Sequence, residues 1–115
     1  MAIDKFEDII AWRKAGELCV LIYGQFKCCK DYGFKSQIER ASVSIMNNIA
    51  EGFERRTNKE LTNFLYIAKG SCGEVRSMLY LGLKFNYINK EQFNKSYDLS
   101  VEISKLISGF IKSLN

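Results

Sequence analysis

Apolar residues along most of this chain recur every three or four positions, which is the spacing of one face of an α-helix. The first such segment opens at Glu7 or Asp8 and ends near residues 28–30, before a turn at residues 31–33. Its predicted core face consists of Ile9, Trp12, Ala15, Gly16, Cys19, Ile22, Tyr23 and Phe26. The pattern therefore predicts a long first helix.

Two further periodic segments follow. The second runs over about residues 34–54 and ends in a short charged turn. The third opens at Thr57 and Glu60, which have the spacing of a capping box. Its core stripe consists of Leu61, Phe64, Leu65, Ala68, Cys72, Val75, Met78, Leu79 and Gly82. Gly70 and Gly73 each cost about 1 kcal/mol relative to Ala, so we expect another helix to approach them closely.

A fourth segment completes the pattern. It begins at Asn89 and Gln92, a weaker form of the capping box, and runs to about Leu114. Its core face consists of Phe93, Tyr97, Leu99, Ile103, Leu106, Ile107, Phe110, Ile111 and Leu114. Short turns force neighbouring helices to run antiparallel. The predicted fold class is all-α, an antiparallel up-down-up-down four-helix bundle, with residues 1–115 as a single domain.

The second segment has an unusual polar side, made of short amides and hydroxyls where a solvated helix usually carries Lys and Glu. This polar arc consists of Gln37, Arg40, Ser44, Asn47, Asn48 and Glu51. It is a solvated face, a polar network against the third helix, or a subunit interface, and the last two are compatible. Antiparallel register places Arg40 level with residues 71–74, so we predict a salt bridge from Arg40 to Glu74.

Basic residues cluster at the turn between the second and third segments. The chain has 17 basic and 13 acidic residues, a net charge of +4, and residues 53–89 hold six of the basic and three of the acidic ones. The turn is either a solvated loop or a phosphate-binding patch that symmetry in an oligomer would multiply. The candidate nucleic-acid contacts are Arg55, Arg56 and Lys59, with Arg13, Lys14 and Arg76 as a second tier.

The sequence gives little sign of catalysis. Histidine is absent, and we find no phosphate-binding glycine loop and no nucleophile motif, so we expect no enzyme, no metal site and no cofactor. The four cysteines form no CxxC pair and are expected to be reduced thiols of a cytoplasmic protein, either small core side chains or exposed residues without a role. No apolar run approaches the ~20 residues of a membrane span.

Residues 37–52 resemble the signature of the bacterial four-helix-bundle family first met in intervening sequences of large-subunit ribosomal RNA genes, whose members are often labelled as a ribosomal protein. The shared positions are Gln37, Ile38, Arg40, Ala41, Ser44, Ile45, Asn48, Ile49, Ala50, Glu51 and Gly52. Further matches are Arg56, Glu60, Phe64, Leu65, Ile67, Ala68, Gly70, Ser71 and Glu74. Glu39 stands where relatives usually have an arginine, and Met46 where they usually have a proline.

The resemblance implies a bundle that assembles into a ring-like homopentamer. It also implies relatives that are accessory proteins of diversity-generating retroelements, in which a basic pentamer binds nucleic acid and a reverse transcriptase. We therefore expect a non-enzymatic homo-oligomer that binds RNA or DNA as an accessory protein. The alternative is a protein-interaction scaffold without nucleic-acid affinity, for example a partner of a reverse transcriptase. The structural or interface motif is expected to comprise Gln37, Arg40, Ser44, Asn48, Glu51 and Glu74.

Overall fold

Four long helices make up the protein in a computed structural model that describes residues 3–115. They are α1 (Ile10–Gln25), α2 (Tyr32–Phe53), α3 (Asn58–Lys84) and α4 (Lys90–Ser113), with a 3₁₀ turn at Phe6–Asp8 ahead of α1. Helix α1 packs against α2 and α4, and α3 packs against the same two helices. The bundle is 43 Å long and about half as wide, and the all-α prediction is confirmed.

The order of contacts shows that neighbouring helices run antiparallel. Ser44 of α2 contacts Ser71 of α3, whereas Gly52, further along α2, lies against Phe64, which comes earlier in α3. The same reversal holds between α3 and α4 and between α4 and α1. Consequently α1 begins at the end of the bundle where α2 finishes and α3 begins.

Side-chain caps mark the starts of α3 and α4, as predicted. The backbone N–H of Glu60 donates to Thr57 Oγ1 at 3.1 Å, but the Glu60 carboxylate accepts from the Thr57 hydroxyl (3.3 Å). Asn89 and Gln92 form the complete reciprocal box, with bonds of 2.8 and 3.0 Å. The cap that the sequence ranked as weaker therefore has both backbone bonds, because the Gln92 amide reaches back to the chain and the Glu60 carboxylate does not.

The buried face of α1 is rotated from the predicted one. It consists of Ala11, Ala15, Leu18 and Ile22. Tyr23, predicted to be inward, is 47% exposed, and Trp12 is only half-buried. Because α1 packs against both α2 and α4, its core face points between these two helices and is centred on Leu18.

In α4 the prediction missed two polar residues, Ser96 and Ser100, which are fully buried.

Close approach between helices occurs at glycines other than the predicted pair. Gly70 has no atom within 4 Å of the place where a Cβ would lie, and Gly73 meets only one flexible side chain at 3.9 Å, so no described helix of the same protomer makes the predicted close approach. At Gly52 a Cβ would lie 2.6 Å from the Cβ of Phe64, and Gly82 is similarly crowded by an aromatic ring. Gly52 and Gly82 lie on buried helix faces, where the absence of a side chain lets elements touch.

At the end of the bundle opposite the N-terminus of α1, a hydrogen bond joins the α1–α2 connection to the α3–α4 connection. The Tyr87 hydroxyl donates to Asp31 Oδ2 at 2.7 Å, and Asp31 also caps α2 by accepting from the Phe34 amide at 3.2 Å. The ring of Phe34 lies 5.2 Å from that of Tyr87. The bond to Asp31 raises the pKa of Tyr87 to about 12. The same bond, and to a smaller extent the hydrogen bond from the Phe34 amide, lowers the pKa of the Asp31 carboxyl.

We expect Tyr87→Phe to lower the urea midpoint at pH 7, with a smaller loss at both pH extremes. Asp31 has a depressed folded pKa, so its contribution is present above its unfolded value near ~4 and is lost as the pH falls through the folded value. Tyr87 has a raised folded pKa, so its contribution is present below its usual value and is lost as the pH rises through about 12. Urea titrations across pH measure the difference.

The matched control is Tyr32→Phe, since Tyr32 is 71% exposed. Its urea midpoint should follow that of the unmodified protein at every pH. A loss in Tyr87→Phe that is constant across the whole pH range would contradict the role of the Asp31 bond.

Candidate nucleic-acid and subunit interfaces

The polar arc of α2 divides into an inner and an outer part. Ser44 and Asn48 are half-buried and turn towards α3. The outer members are exposed in the protomer: Gln37, Arg40, Asn47 and Glu51. The arc is therefore a polar network on its inner side and an open polar surface on its outer side.

The inner part forms a hydrogen-bonded seam with α3. Ser44 Oγ lies 3.0 Å from Ser71 Oγ. Asn48 Nδ2 donates to Ser44 Oγ at 2.9 Å and to the Ser44 carbonyl oxygen at 2.8 Å. Of these bonds, the one between Ser44 and Ser71 crosses from α2 to α3. Because unpaired polar groups at a helix contact are costly, that bond fixes which residues of the two helices lie level. We call these three residues the α2–α3 seam.

The predicted salt bridge between Arg40 and Glu74 is wrong. In residues 3–115 the ion pairs join Lys14 to Glu102 and Glu51 to Arg55, and none involves Arg40. Arg40 and Glu74 do line one shallow cleft, so the predicted register is confirmed. Both residues are exposed, where water competes with ion pairing and two long side chains lose entropy by meeting.

The turn between α2 and α3 keeps its charges accessible. Arg55, Arg56 and Lys59, which we call the basic turn, are all exposed. The Arg55 guanidinium stacks 4.8 Å from the ring centroid of Phe64 and lies 4.0 Å from Glu51 Oε2. An exposed pair of this kind is weak, so the guanidinium remains available to a phosphate.

Two second-tier residues lie at the same end of the bundle. Arg13 is in the first turns of α1, where its Nε donates to the Glu7 carbonyl at 3.0 Å. Lys14 is held 3.6 Å from Glu102 of α4. The fold therefore brings Arg13 and Lys14 to the end that carries the basic turn, although both already have partners.

Arg76 does not join this group. It is half-buried beside α4, and its Nη1 donates to Ser100 Oγ at 3.2 Å. Ser100 in turn donates to the Cys72 carbonyl. Seventeen residues separate Arg76 from Lys59, which is about 25 Å along a helix that rises 1.5 Å per residue. Arg76 thus links α3 to α4.

Helix α3 carries an exposed apolar face that the periodicity did not single out. We call it the outer α3 stripe: Tyr66, Ile67, Gly70, Glu74, Leu81 and Phe85. Its large apolar side chains are 43–58% exposed, and Glu74 is its one charge. The sequence did contain a sign of this surface, since Tyr66, Ile67, Leu81 and Phe85 are apolar but fall outside the predicted core face.

Two of the four cysteines, Cys19 and Cys72, lie in surroundings that disfavour the reactive thiolate. Burial raises the pKa of Cys72 to about 11, and burial likewise raises the pKa of the half-buried Cys19. Such thiols stay protonated at neutral pH and are poor nucleophiles. Within residues 3–115, no group of three or more His, Cys, Asp or Glu side chains is placed to hold a metal ion. No helix in that range is long and apolar enough to cross a bilayer.

Comparison with known proteins gives a family and a fold. A family model described as 23S rRNA-intervening sequence protein matches residues 7–109. The chain is also similar to a solved protein of unknown function from the S23 ribosomal protein family of Bacteroides thetaiotaomicron, at 29% identity and a TM-score of 0.82. That similarity covers 90% of this chain and 99% of the other. No curated protein matches. Neither description states an activity.

The α2–α3 seam makes a quantitative prediction. We expect Ser44→Ala to destabilise the fold by about 1 kcal/mol, because it removes the partner of the Ser71 hydroxyl and one of the two acceptors of the Asn48 amide. Ser44→Ala combined with Ser71→Ala should cost less than the two single changes added together, since the residues share one bond. Urea unfolding at fixed protein concentration measures these differences. Asn47→Ala, on the exposed side of the arc, is the control and should change stability by less than about 0.5 kcal/mol. Additive losses would show that the seam does not act as a unit.

Proposed function

The chain belongs to the family of 23S rRNA-intervening sequence proteins, and on this premise we propose that it is a non-enzymatic homo-oligomer that binds nucleic acid. We propose a ring, with five subunits as the sequence resemblance implies, in which the outer α3 stripe lies at the subunit contact. The basic turns then face RNA or DNA. The observation that carries the proposal is the outer α3 stripe.

The outer α3 stripe has the character of a contact surface. Tyr66 and Ile67 are more than half exposed on one side of Gly70, and Leu81 and Phe85 are exposed further along the helix, beyond Glu74. Clusters of exposed large apolar side chains mark protein contacts more often than bare surface. Gly70 has open space in front of it, so a neighbouring helix can approach the backbone closely. Gln37 and Arg40, two exposed members of the polar arc, line one cleft with Glu74 of the stripe and supply hydrogen-bonding groups of the kind found at interface rims.

Ring symmetry explains how a weak basic turn becomes a binding site. A contact between two different surfaces of identical chains closes into a ring when the rotation permits. Rotational symmetry places equivalent residues of all copies on one circle. Arg55, Arg56 and Lys59 of every subunit therefore lie at the same level of the ring. A polyanion that spans several copies releases counterions at each, which multiplies the affinity of a single patch.

We expect Ile67→Asp to reduce the assembly to smaller species, because a carboxylate in an apolar contact is desolvated without a partner. Light scattering coupled to size exclusion should give the unmodified protein a mass that is a multiple of the 13.2 kDa protomer. The control is Val20→Asp, because Val20 is 73% exposed on α1 and lies outside the stripe. Circular dichroism checks that both variants stay helical. An unmodified protein that is monomeric at micromolar concentration, or an Ile67→Asp variant of unchanged mass, would overturn the assembly.

The basic turn is tested by combining Arg55→Gln, Arg56→Gln and Lys59→Gln. We expect this variant to bind a structured RNA about tenfold or more weakly at 0.1 M salt, and to show a shallower dependence of log affinity on log salt. Fluorescence anisotropy across a salt series measures both quantities, and duplex DNA of equal length tests the nucleic-acid preference. The matched control combines Lys27→Gln, Lys30→Gln and Lys84→Gln, which removes the same charge at the opposite end.

Two outcomes would count against this binding site. A salt slope near zero for the unmodified protein would remove the electrostatic contact and favour the scaffold alternative. Equal losses in the two triple variants would assign the affinity to net charge, with no special role for the basic turn.

A further inference from the structure

A groove runs between α1 and α4 on the side of the bundle away from the α2–α3 seam. Its floor is apolar, formed by Val20 and Leu21 of α1 and Leu99 of α4. It continues past Gly24, in front of which there is open space. Val20 is 73% exposed, more than any other large apolar side chain in residues 3–115. In the part of the chain that the structure describes, all three apolar side chains stay at least partly exposed.

The rim of the groove is acidic, although the chain as a whole has a net charge of +4. Its charged members are Glu17 of α1 and Glu91, Lys95, Asp98 and Glu102 of α4. Four carboxylates therefore face one ammonium group. Lys14 neutralises only Glu102, at one end of the groove. Such a surface repels phosphates and attracts cationic partners.

The carboxylates are not arranged as a metal site, since no group of three or more potential ligands converges anywhere in the described part of the chain. They instead line the two sides of an apolar trough. On α4 the lining runs from Glu91 to Glu102, which at 1.5 Å per residue is about 16 Å, or three helical turns. Apolar grooves of this shape bind amphipathic helices through anchors spaced at i, i+3, i+4 and i+7.

We propose that the α1–α4 groove docks a basic amphipathic helix of a partner protein, with its apolar side on Val20, Leu21 and Leu99 and its Lys and Arg residues against the acidic rim. Charge complementarity favours this occupant over a second copy of the chain. The outer α3 stripe, which would be the apolar surface offered by another copy, carries Glu74 at its middle, and this carboxylate would face the acidic rim. The groove therefore adds a protein-binding surface separate from the proposed nucleic-acid contacts.

The probe is a labelled synthetic 15-residue peptide with leucines at i, i+3, i+4 and i+7 and Lys or Arg at the remaining positions. Anisotropy titration at 0.1 M salt should show saturable binding to the unmodified protein. Two control peptides isolate the chemistry: one with Glu in place of Lys and Arg, and one of the same composition in scrambled order. Both should bind at least about tenfold more weakly, because the first loses the charge match and the second loses the apolar face.

Protein variants then locate the site. Val20→Asp removes an apolar anchor from an exposed position and should weaken the basic peptide about tenfold. Glu17→Lys combined with Asp98→Lys reverses the charge on both sides of the groove, and should weaken the basic peptide while strengthening the acidic one. Ile67→Asp, on the outer α3 stripe, should leave peptide affinity within about twofold of the unmodified protein.

The outcomes separate this proposal from the proposed function. If both groove variants bind the basic peptide like the unmodified protein, the docking site is overturned. If Val20→Asp lowers the oligomer mass, the groove is covered by another copy, which also overturns it. If the unmodified protein binds the basic peptide but not RNA, the groove stands and the proposed function fails. If it binds RNA but not the peptide, the proposed function stands and the groove fails.

Discussion

The close contact between α2 and α3 is the constraint on which the other surfaces depend. It is tightest where Gly52 lies against Phe64, since a Cβ at residue 52 would come within 2.6 Å of the Cβ of Phe64. Ser44 and Ser71 then fix the register at 3.0 Å further along the helices. With the two helices pinned at these points, Arg55 is held over the Phe64 ring at the end of the bundle. These contacts also fix the rotation of α3 about its own axis, and therefore the direction in which the outer α3 stripe faces.

Much of the fold could be predicted from the sequence because the hydrophobic period and the caps are local signals. Thr57 and Asn89 carry their caps within three residues, and the structure uses both. Most inward residues of α3 follow because its core stripe is continuous. The antiparallel register was also accessible, since a short turn leaves one way for α3 to return along α2. Arg40 and Glu74 share a cleft for this reason.

The remaining features depend on three-dimensional context that a single helix pattern does not contain. Whether Arg40 pairs with Glu74 is decided by solvation at the surface, and spacing carries no information on that balance. Ser96 and Ser100 look like surface residues in sequence, yet they are buried because Gln25 of α1 and the Cys72 carbonyl of α3 supply their hydrogen-bond partners. The direction of close approach depends on which side of a helix its neighbour occupies, so Gly70 and Gly52 could not be distinguished from propensity alone.

Basic, nearly neutral and acidic residues occupy different surfaces of this bundle, and this separation determines which kind of partner each surface can attract. The basic turn lies at one end, the outer α3 stripe is nearly neutral, and the α1–α4 groove is acidic. Because opposite charges occupy different surfaces, the nucleic-acid contact proposed at the basic turn and the peptide contact proposed in the groove do not overlap. Nucleic-acid binding and protein scaffolding, which the sequence presents as alternatives, are therefore physically compatible on one protomer. A ring would arrange each surface in a circle, so several protein segments could be held near one strand of nucleic acid.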